Sequence, residues 1–280
     1  MLNRQSDDAA RALRALHAGD RVLVLPNVWD ALSAALFASS GARAIATTSA
    51  GVAWACGYPD GDVLPRTDLL FALSAIVRSA GGLPVTADIE RGYSDDPDDV
   101  AALALDLHAL GVAGVNLEDG DGRPAVLAAK IAAVKSAVRQ SGRDLFVNAR
   151  TDVYLGELAE GEEAVRETIA RAQTYARAGA DAIFVPALAT EAIARVADAI
   201  VLPLAVFAVP GLPRADRLYE LGVRRLSAGP GLAKLAYGVA RRAAEAFARD
   251  GDGAHLASDA SLDFGATNAL MGERSAKPGS

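Results

Sequence analysis

GVAGVNLEDGDG, residues 111–122, carries the pattern on which the fold turns: a glycine, a short apolar run, then acids and glycines. The preceding DPDDVAALALDLHAL has helical spacing, so Gly111 stands where a helix ends in a left-handed residue. An unbroken apolar run is how a strand covered on both faces reads. The layout recurs in GARAIATTSAG (41–51), GADAIFVPAL (179–188) and GVRRLSAGPG (222–231), each after a helical pattern. RVLVLPN (21–27), LPVTADIE (83–90), DLFVNARTD (144–152) and LPLAVFAVP (202–210) complete eight strand candidates.

Between them lie helical stretches such as DALSAALFASS, TDLLFALSAIVRSA, PAVLAAKIAAVKSAVRQ and EEAVRETIARAQTYARA, and a final helix spans about Leu232 to Arg249. Length alone allows one large domain or two small ones. Eight strands alternating with eight helices, without a linker, fit the roughly 250 residues of a (β/α)8 barrel better than a doubly wound sheet. The expectation is an α/β fold of TIM type: a single barrel domain over residues 1–250. An extra N-terminal helix is expected from about Ser6, as N-cap, to Ala18. Residues 251–280, with DGDGAH and ERSAKPGS, lose apolar periodicity and are expected to be poorly ordered or to bridge to a neighbouring subunit.

The net charge is −7, so no global positive field attracts nucleic acid or anionic lipid, and an anionic substrate needs a local cation. The single cysteine, Cys56, allows no intramolecular disulfide and fits a reducing, cytoplasmic compartment. No signal-peptide core and no membrane-length apolar run is present.

In such a barrel the chemistry sits where strands end and βα loops begin. TTSAG leads into a loop with GYPDGD, and the following strands end in ADIE, NLED and NARTD. Asp60, Asp88, Glu90 and Glu118 are thus expected on one rim, where they would repel without cations. All-oxygen ligation with retained waters suits Mg²⁺ or Mn²⁺. Arg150, one strand further on, supplies a fixed fork for a carboxylate. The bland reading of Glu118 and Arg150 is a structural ion pair. Asp62, Asp119 and Asp152 are weaker candidates because acids just after a strand often cap the next helix or turn, and Asp95, Asp96, Asp98 and Asp99 are expected to begin a helix.

The order PNVWDALSA, TTSAG, GYPDG, TADIERGY, NLED and NARTD resembles the isocitrate lyase and phosphoenolpyruvate mutase superfamily over about residues 20 to 245. The resemblance implies a (β/α)8 barrel in dimers or tetramers that exchange the last helix, here the one after Leu232. It implies Mg²⁺ held mostly through water, with Asp88 as direct ligand and Asp60, Glu90 and Glu118 around it. The substrate is then a 2-oxo acid or its enolate, with its carboxylate at the turn Thr48, Ser49, Ala50 and Gly51 and clamped by Arg150; Arg150, Asp60 and Glu118 are the implied catalytic residues.

The departures narrow the reaction. The lyases' Lys-Lys/Arg-Cys-Gly-His loop is replaced by NLEDGDGRPAVLAAKI, the mutase's longer lysine- and asparagine-bearing loop is missing, and FVPAL offers Pro186 and Ala187 where the lyases place a Pro-Glu pair and the mutase a histidine. Glu90 stands where many relatives have Asp. Decarboxylation of a 2-oxo diacid such as oxaloacetate, which needs chiefly the metal as electron sink, survives these losses best; acyl-malate-type cleavage needs a proton donor as well. The alternative is a 2-oxo-acid-binding protein with little or no lyase activity. Tyr58 and Tyr154 are candidate proton donors, each more simply packing. Cys56 and Trp29 read as packing, Trp54 as a candidate pocket wall. His17, His108 and His255 fall on helices or the tail, away from the rim. GPG (229–231) reads as a tight turn, at a place where barrels often bind phosphate. Lys130, Lys135, Arg241 and Arg242 read as a solvated helical face.

Overall fold

The computed structural model describes residues 2–259 and 261–275. Helix α1 (Leu2–His17) precedes β1 (Leu23–Leu25), β2 (Asn27–Val28), α2 (Ala31–Ser39), β3 (Ile45–Thr47), α3 (Ser49–Ala55), α4 (Arg66–Ser79), β4 (Val85–Asp88) and α5 (Pro97–Leu110). Then come β5 (Gly114–Glu118), α6 (Pro124–Gln140), β6 (Phe146–Arg150), α7 (Gly161–Ala178), β7 (Ala182–Phe184), α8 (Ile193–Ala199) and β8 (Leu204–Phe207). The chain ends in α9 (Ala215–Glu220), β9 (Val223–Ser227), α10 (Gly231–Asp250) and α11 (Phe264–Ser275).

All strands pair in parallel, in the order β1-β9-β8-β7-β6-β5-β4-β3-β2. The eight expected strands become nine because Pro26, which has no N–H to give to a ladder, splits the first. Its front half pairs with β9 and its back half with β3, so this broken strand closes the barrel.

The helices begin and stop for local reasons. Asp30 and Ser33 form a capping box on α2, Asp96 caps α5 with Pro97 at its first position, and Gly111 and Gly179 end α5 and α7 in left-handed conformation, both at φ 102°. The apolar faces of the helices meet the outward residues of the strands, including Val85, Ala87, Val115, Leu117 and Val147. Helix α1 seals the amino-terminal end of the barrel with Leu13 against Leu23, Phe146 and Ala182; such a fully buried leucine contributes about 2 kcal/mol. Arg14 pins the seal to Asp144 (2.7 Å) and Asp181 (3.0 Å), and Asp7 accepts the Asp144 amide and meets His108 Nε2, both at 2.8 Å.

Two expectations change here. Helix α1 starts at Leu2, which leaves Ser6 inside it and buried, its hydroxyl donating to the His108 carbonyl at 2.8 Å; it is a tether to α5 and not the N-cap. Lys130 and Lys135 are not solvated. Lys130 is 3% exposed and donates to the Arg91 carbonyl (2.8 Å), while Lys135 reaches Asp181 (2.9 Å) and the Leu145 carbonyl (3.1 Å). Their long stems cross apolar surface to reach acceptors on neighbouring segments, which helical periodicity does not reveal. Arg241 and Arg242 are exposed on α10. Beyond Asp250, a 3₁₀ turn at Gly253–Leu256 and α11, which lies against α2 and α4, make up the described part of the tail; residues 260 and 276–280 lie outside the described residues.

Candidate active site

Parallel register sets the rim. Asp88 stands beside Asn116, Glu118 beside Arg150, and Arg150 beside Phe184. Lateral neighbours one strand apart are close enough to bond, and Arg150 Nη1 lies 2.6 Å from Glu118 Oε2. The rest of the guanidinium engages Asp152 bidentately, Nε to Oδ1 at 2.6 Å and Nη2 to Oδ2 at 3.0 Å, and it sits 5.9 Å from the Phe184 ring centroid. The Glu118 ion pair therefore exists, as the bland reading had it. Two of the fork's five N–H groups are thus hydrogen-bonded to Asp152, and Nη1 is ion-paired with Glu118.

Asp88 is held by its backbone, its amide donating to Thr47 Oγ1 at 2.8 Å. Burial pushes its carboxyl above the usual range; Arg150 opposes this, Asp60 adds to it, and the amides of Glu90 and Ser49 favour the charged form. Its Oδ1 is buried without a hydrogen-bond partner. Such an oxygen is costly to leave bare and is suited to a cation. Burial also pushes Glu118 up, against the pull of Arg150.

The four rim acids take different positions. The Glu90 carboxylate accepts the amides of Gly61 (2.8 Å) and Asp62 and the Tyr93 hydroxyl (3.0 Å), while Asp62 accepts the amides of Arg91 and Tyr93 (3.2 Å each) and Arg91 Nε (2.7 Å). Two rim loops are thereby clasped reciprocally, and burial pushes Glu90 up to about 7. Asp60 lies exposed on one of these loops. Among the described residues, no three His, Cys, Asp or Glu side chains converge closely enough to hold a metal directly. Asp88 thus keeps a buried oxygen with no hydrogen-bond partner, and the Glu118 oxygen that likewise lacks a hydrogen bond is ion-paired with Arg150.

Thr48 precedes α3, and Ser49, Ala50 and Gly51 form its first turn, with the Ser49 amide toward Asp88. A Cβ at position 51 would stand 2.7 Å from Thr48 Cγ2 and 2.8 Å from Trp29 Cβ, so only glycine fits there. Among the described residues, five non-glycines have positive φ: Asp62, Glu90, Tyr93, Glu157 and Ala187, between 51° and 60°. All lie on loops leaving the carboxyl ends of strands, where strain accompanies function.

The remaining candidates separate cleanly. Asp119 and Asp152 do not cap helices: Asp119 is buried against Arg171, Tyr175 and the Asp152 amide. Burial and Asp68 bear on Tyr58, whose hydroxyl is raised chiefly by bonding to Asp68, and Tyr154 is raised by burial. Trp29 packs on Phe37 and Tyr237, while Trp54 is 41% exposed. Cys56 follows α3 as a half-buried free thiol. His17 and His108 lie in α1 and α5, and His255 in the turn after α10. In the GPG turn, the amides of Ala228 and Gly229 are taken by Asn27 Oδ1 at 2.7 and 3.0 Å, which makes it a turn locked from inside.

Two site residues escaped the sequence. Tyr93 carries no signal beyond lying three residues after Glu90. Arg225 did carry one: two successive arginines in an apolar strand must put one inside, and Arg225 is 1% exposed with Nη2 on Asn116 Oδ1 at 3.2 Å.

A nearly closed parallel barrel with surrounding helices, carrying an arginine-bound acid pair and a bare buried carboxylate oxygen at its carboxyl rim, defines the class: an α/β barrel of TIM type. Residues 13–248 match the family model described as phosphoenolpyruvate phosphomutase. The chain is 41% identical over 220 residues to an uncharacterised protein of Mycobacterium tuberculosis (strain H37Rv), covering 76% of this chain and 80% of that one. It is 29% identical to a 2-methylisocitrate lyase of Bacillus subtilis (strain 168), covering 79% and 76%. A solved 2,3-dimethylmalate lyase superposes with a TM-score of 0.82 at 28% identity, covering 95% of each chain. The chain belongs to the phosphoenolpyruvate phosphomutase family, within the isocitrate lyase/PEP mutase superfamily of lyases and mutases.

Proposed function

We propose that this protein is a Mg²⁺- or Mn²⁺-dependent carbon–carbon lyase that acts on a small 2-oxo carboxylate through an enolate. The observation that carries this reading is the bare buried Oδ1 of Asp88 beside the Arg150 fork. Asp88 would hold the cation, with Asp60, Glu90 and Glu118 reaching it through water. A bound cation supplies Lewis-acid stabilisation of a developing oxyanion. Arg150 binds the substrate carboxylate and shares that charge, and the Ser49 turn lines the same edge. In oxaloacetate the bond to the departing carboxylate breaks, its electron pair enters the 2-oxo group as the pyruvate enolate, and carbon dioxide leaves. Proton delivery to that enolate completes the turnover. The connection from β5 to α6 spans only Asp119 to Arg123 and brings no cysteine or histidine, which favours decarboxylation or acyl-malate cleavage over isocitrate-type chemistry.

The test is product analysis by NMR with oxaloacetate and substituted malates, with and without Mg²⁺. Mg²⁺-dependent turnover lost in Arg150→Ala supports the lyase. Tight Mg²⁺-dependent binding of 2-oxoglutarate or pyruvate without turnover instead gives a binding protein on the same site, and neither result would sink both readings.

The assembly follows the same reading. Helix α10 buries only Ala233 and exposes Leu235, Tyr237, Val239 and Phe247, while a groove of about 410 Å³ beside Val24, Leu226 and Leu232 stays open over the β1–β9 pair. We propose that α10 of a second copy covers that groove in a dimer or tetramer of a cytoplasmic enzyme. Light scattering at micromolar concentration should give more than one chain per particle; a monomer would refute it. No described helix is long and apolar enough to cross a membrane.

A further inference from the structure

Arg150 is held by Asp152, and what holds Asp152 lies outside the rim. The Asp152 amide donates to Asp119 Oδ1 at 2.9 Å. The other oxygen of Asp119 accepts the Tyr175 hydroxyl at 2.5 Å and Arg171 Nη1 at 2.9 Å, and Arg171 Nε continues to Glu167 at 2.6 Å. The Asp119 side chain is 0% exposed and Tyr175 and Arg171 are buried, so water cannot take their place. Arg171 and Tyr175 are one helical turn apart on α7, which lets both reach a single carboxylate. The Asp119 amide closes the circuit by donating to the Arg150 carbonyl at 3.2 Å.

A lone ion pair under a helix needs none of this. Here one buried carboxylate ties together the end of β5, the end of β6 and the inner face of α7, and its two oxygens serve opposite sides. One oxygen fixes the backbone that carries Asp152, while the other is anchored by a cation and a hydroxyl. Charge-assisted bonds of this kind are short and directional, so they set orientation as well as energy.

We infer that Asp119, Arg171 and Tyr175 are positioning residues that aim the Arg150 guanidinium at the substrate carboxylate. None of the three touches the anion, and the inference rests on the reading of Arg150 as its clamp. If Tyr175 lets go, Asp119 can rotate, the Asp152 amide loses its acceptor, and the bidentate Arg150–Asp152 pair loosens without any change at Asp88. The expected signature is weaker anion binding with unchanged metal binding.

The experiment uses the full-length protein and its Tyr175→Phe and Asp119→Asn variants, with Glu162→Gln on the exposed face of α7 as control. Calorimetry measures Mn²⁺ alone and then oxalate in the presence of Mg²⁺. Proton–nitrogen NMR follows the Arg150 Nε resonance, assigned by its loss in Arg150→Lys. Oxalate affinity should fall about 10-fold in Tyr175→Phe and up to about 100-fold in Asp119→Asn, as for other groups that orient a ligand-binding side chain. Mn²⁺ affinity should hold, and the Nε signal should shift or broaden in both variants but not in the control. Unchanged oxalate affinity with an unmoved Nε signal would overturn the inference. If the wild type binds no oxalate, the functional reading fails while the Nε signal still decides the positioning role. If Asp119→Asn does not fold, Tyr175→Phe, which removes one hydroxyl, decides alone.

Discussion

At the amino-terminal end of the barrel, Arg14, Asp144, Asp181 and Lys135 form a closed set of ion pairs, and the left-handed turns after α5 and α7 are made by Gly111 and Gly179. At the carboxyl end, Asp88 keeps a bare buried oxygen, burial raises Asp88, Glu90 and Glu118, and left-handed backbone is carried by Asp, Glu, Tyr and Ala. One chain thus places relaxed backbone and satisfied charge at one rim and strain and unsatisfied charge at the other. The first arrangement stabilises the fold; the second, on the proposed function, keeps groups ready for a ligand.

The sharpest way to break this comparison is Asp88→Asn. Turnover should fall by about 10³-fold or more, as expected when a group facing the developing charge is lost. The melting temperature should stay level or rise, since a costly buried charge is removed. Parallel loss of activity and stability would mean that Asp88 belongs to the structural set.

The second prediction concerns pH at the opposite end. His17 is buried against Phe146, its ring centroids 4.4 Å apart, and burial lowers its pKa to about 4 from 6.5. The unfolded chain therefore takes up a proton near pH 6.5 that the folded protein refuses until about pH 4. Stability from this group is complete above pH 6.5 and declines as pH falls toward 4. A gap of this width amounts to about 3 kcal/mol. Denaturation profiles of wild type and His17→Gln should diverge by that amount across this window, and coincident profiles would show that the site is wet.

Arg14→Ala comes next. Its pairs are part-exposed, so the expected loss is about 1–2 kcal/mol by chemical denaturation, with turnover per folded molecule unchanged. The smallest effect separates the turns. Gly179→Ala at φ 102° should cost about 1 kcal/mol, whereas Ala187→Gly at φ 57° should be nearly neutral, relief of strain offsetting the added freedom of the unfolded chain. Equal costs at both positions would remove the distinction between the rims.

Much of the architecture was legible because buried strands and capped helices are local statements. PAVLAAKIAAVKSAVRQ matches α6 from end to end, and α5 begins within the acid run at residues 95–99, where a helix start was expected. Strand ends placed Asp88, Glu118 and Arg150 correctly on neighbouring strands. What stayed hidden depends on contacts far apart in the chain: Lys130 reaching Arg91, Ser6 reaching His108, and Asp119 meeting Tyr175 have no spacing rule to announce them. Asp62 and Glu90 fall between these cases. Their positions on the rim were readable, yet the reciprocal grip of the two loops arises only once left-handed backbone turns each carboxylate back on the other loop.

The split at Pro26 bears on how the molecule is made. Leu23 pairs with Arg225, about 200 residues later, so the last strand to leave the ribosome is the one that completes the ring. Until then β1 waits with an open edge, and its closure has a large loop entropy to overcome before any ladder forms. Barrel closure should be the slow phase of refolding, and Pro26 is well placed to protect the waiting edge, since a strand interrupted by proline is a poor template for pairing with another nascent chain.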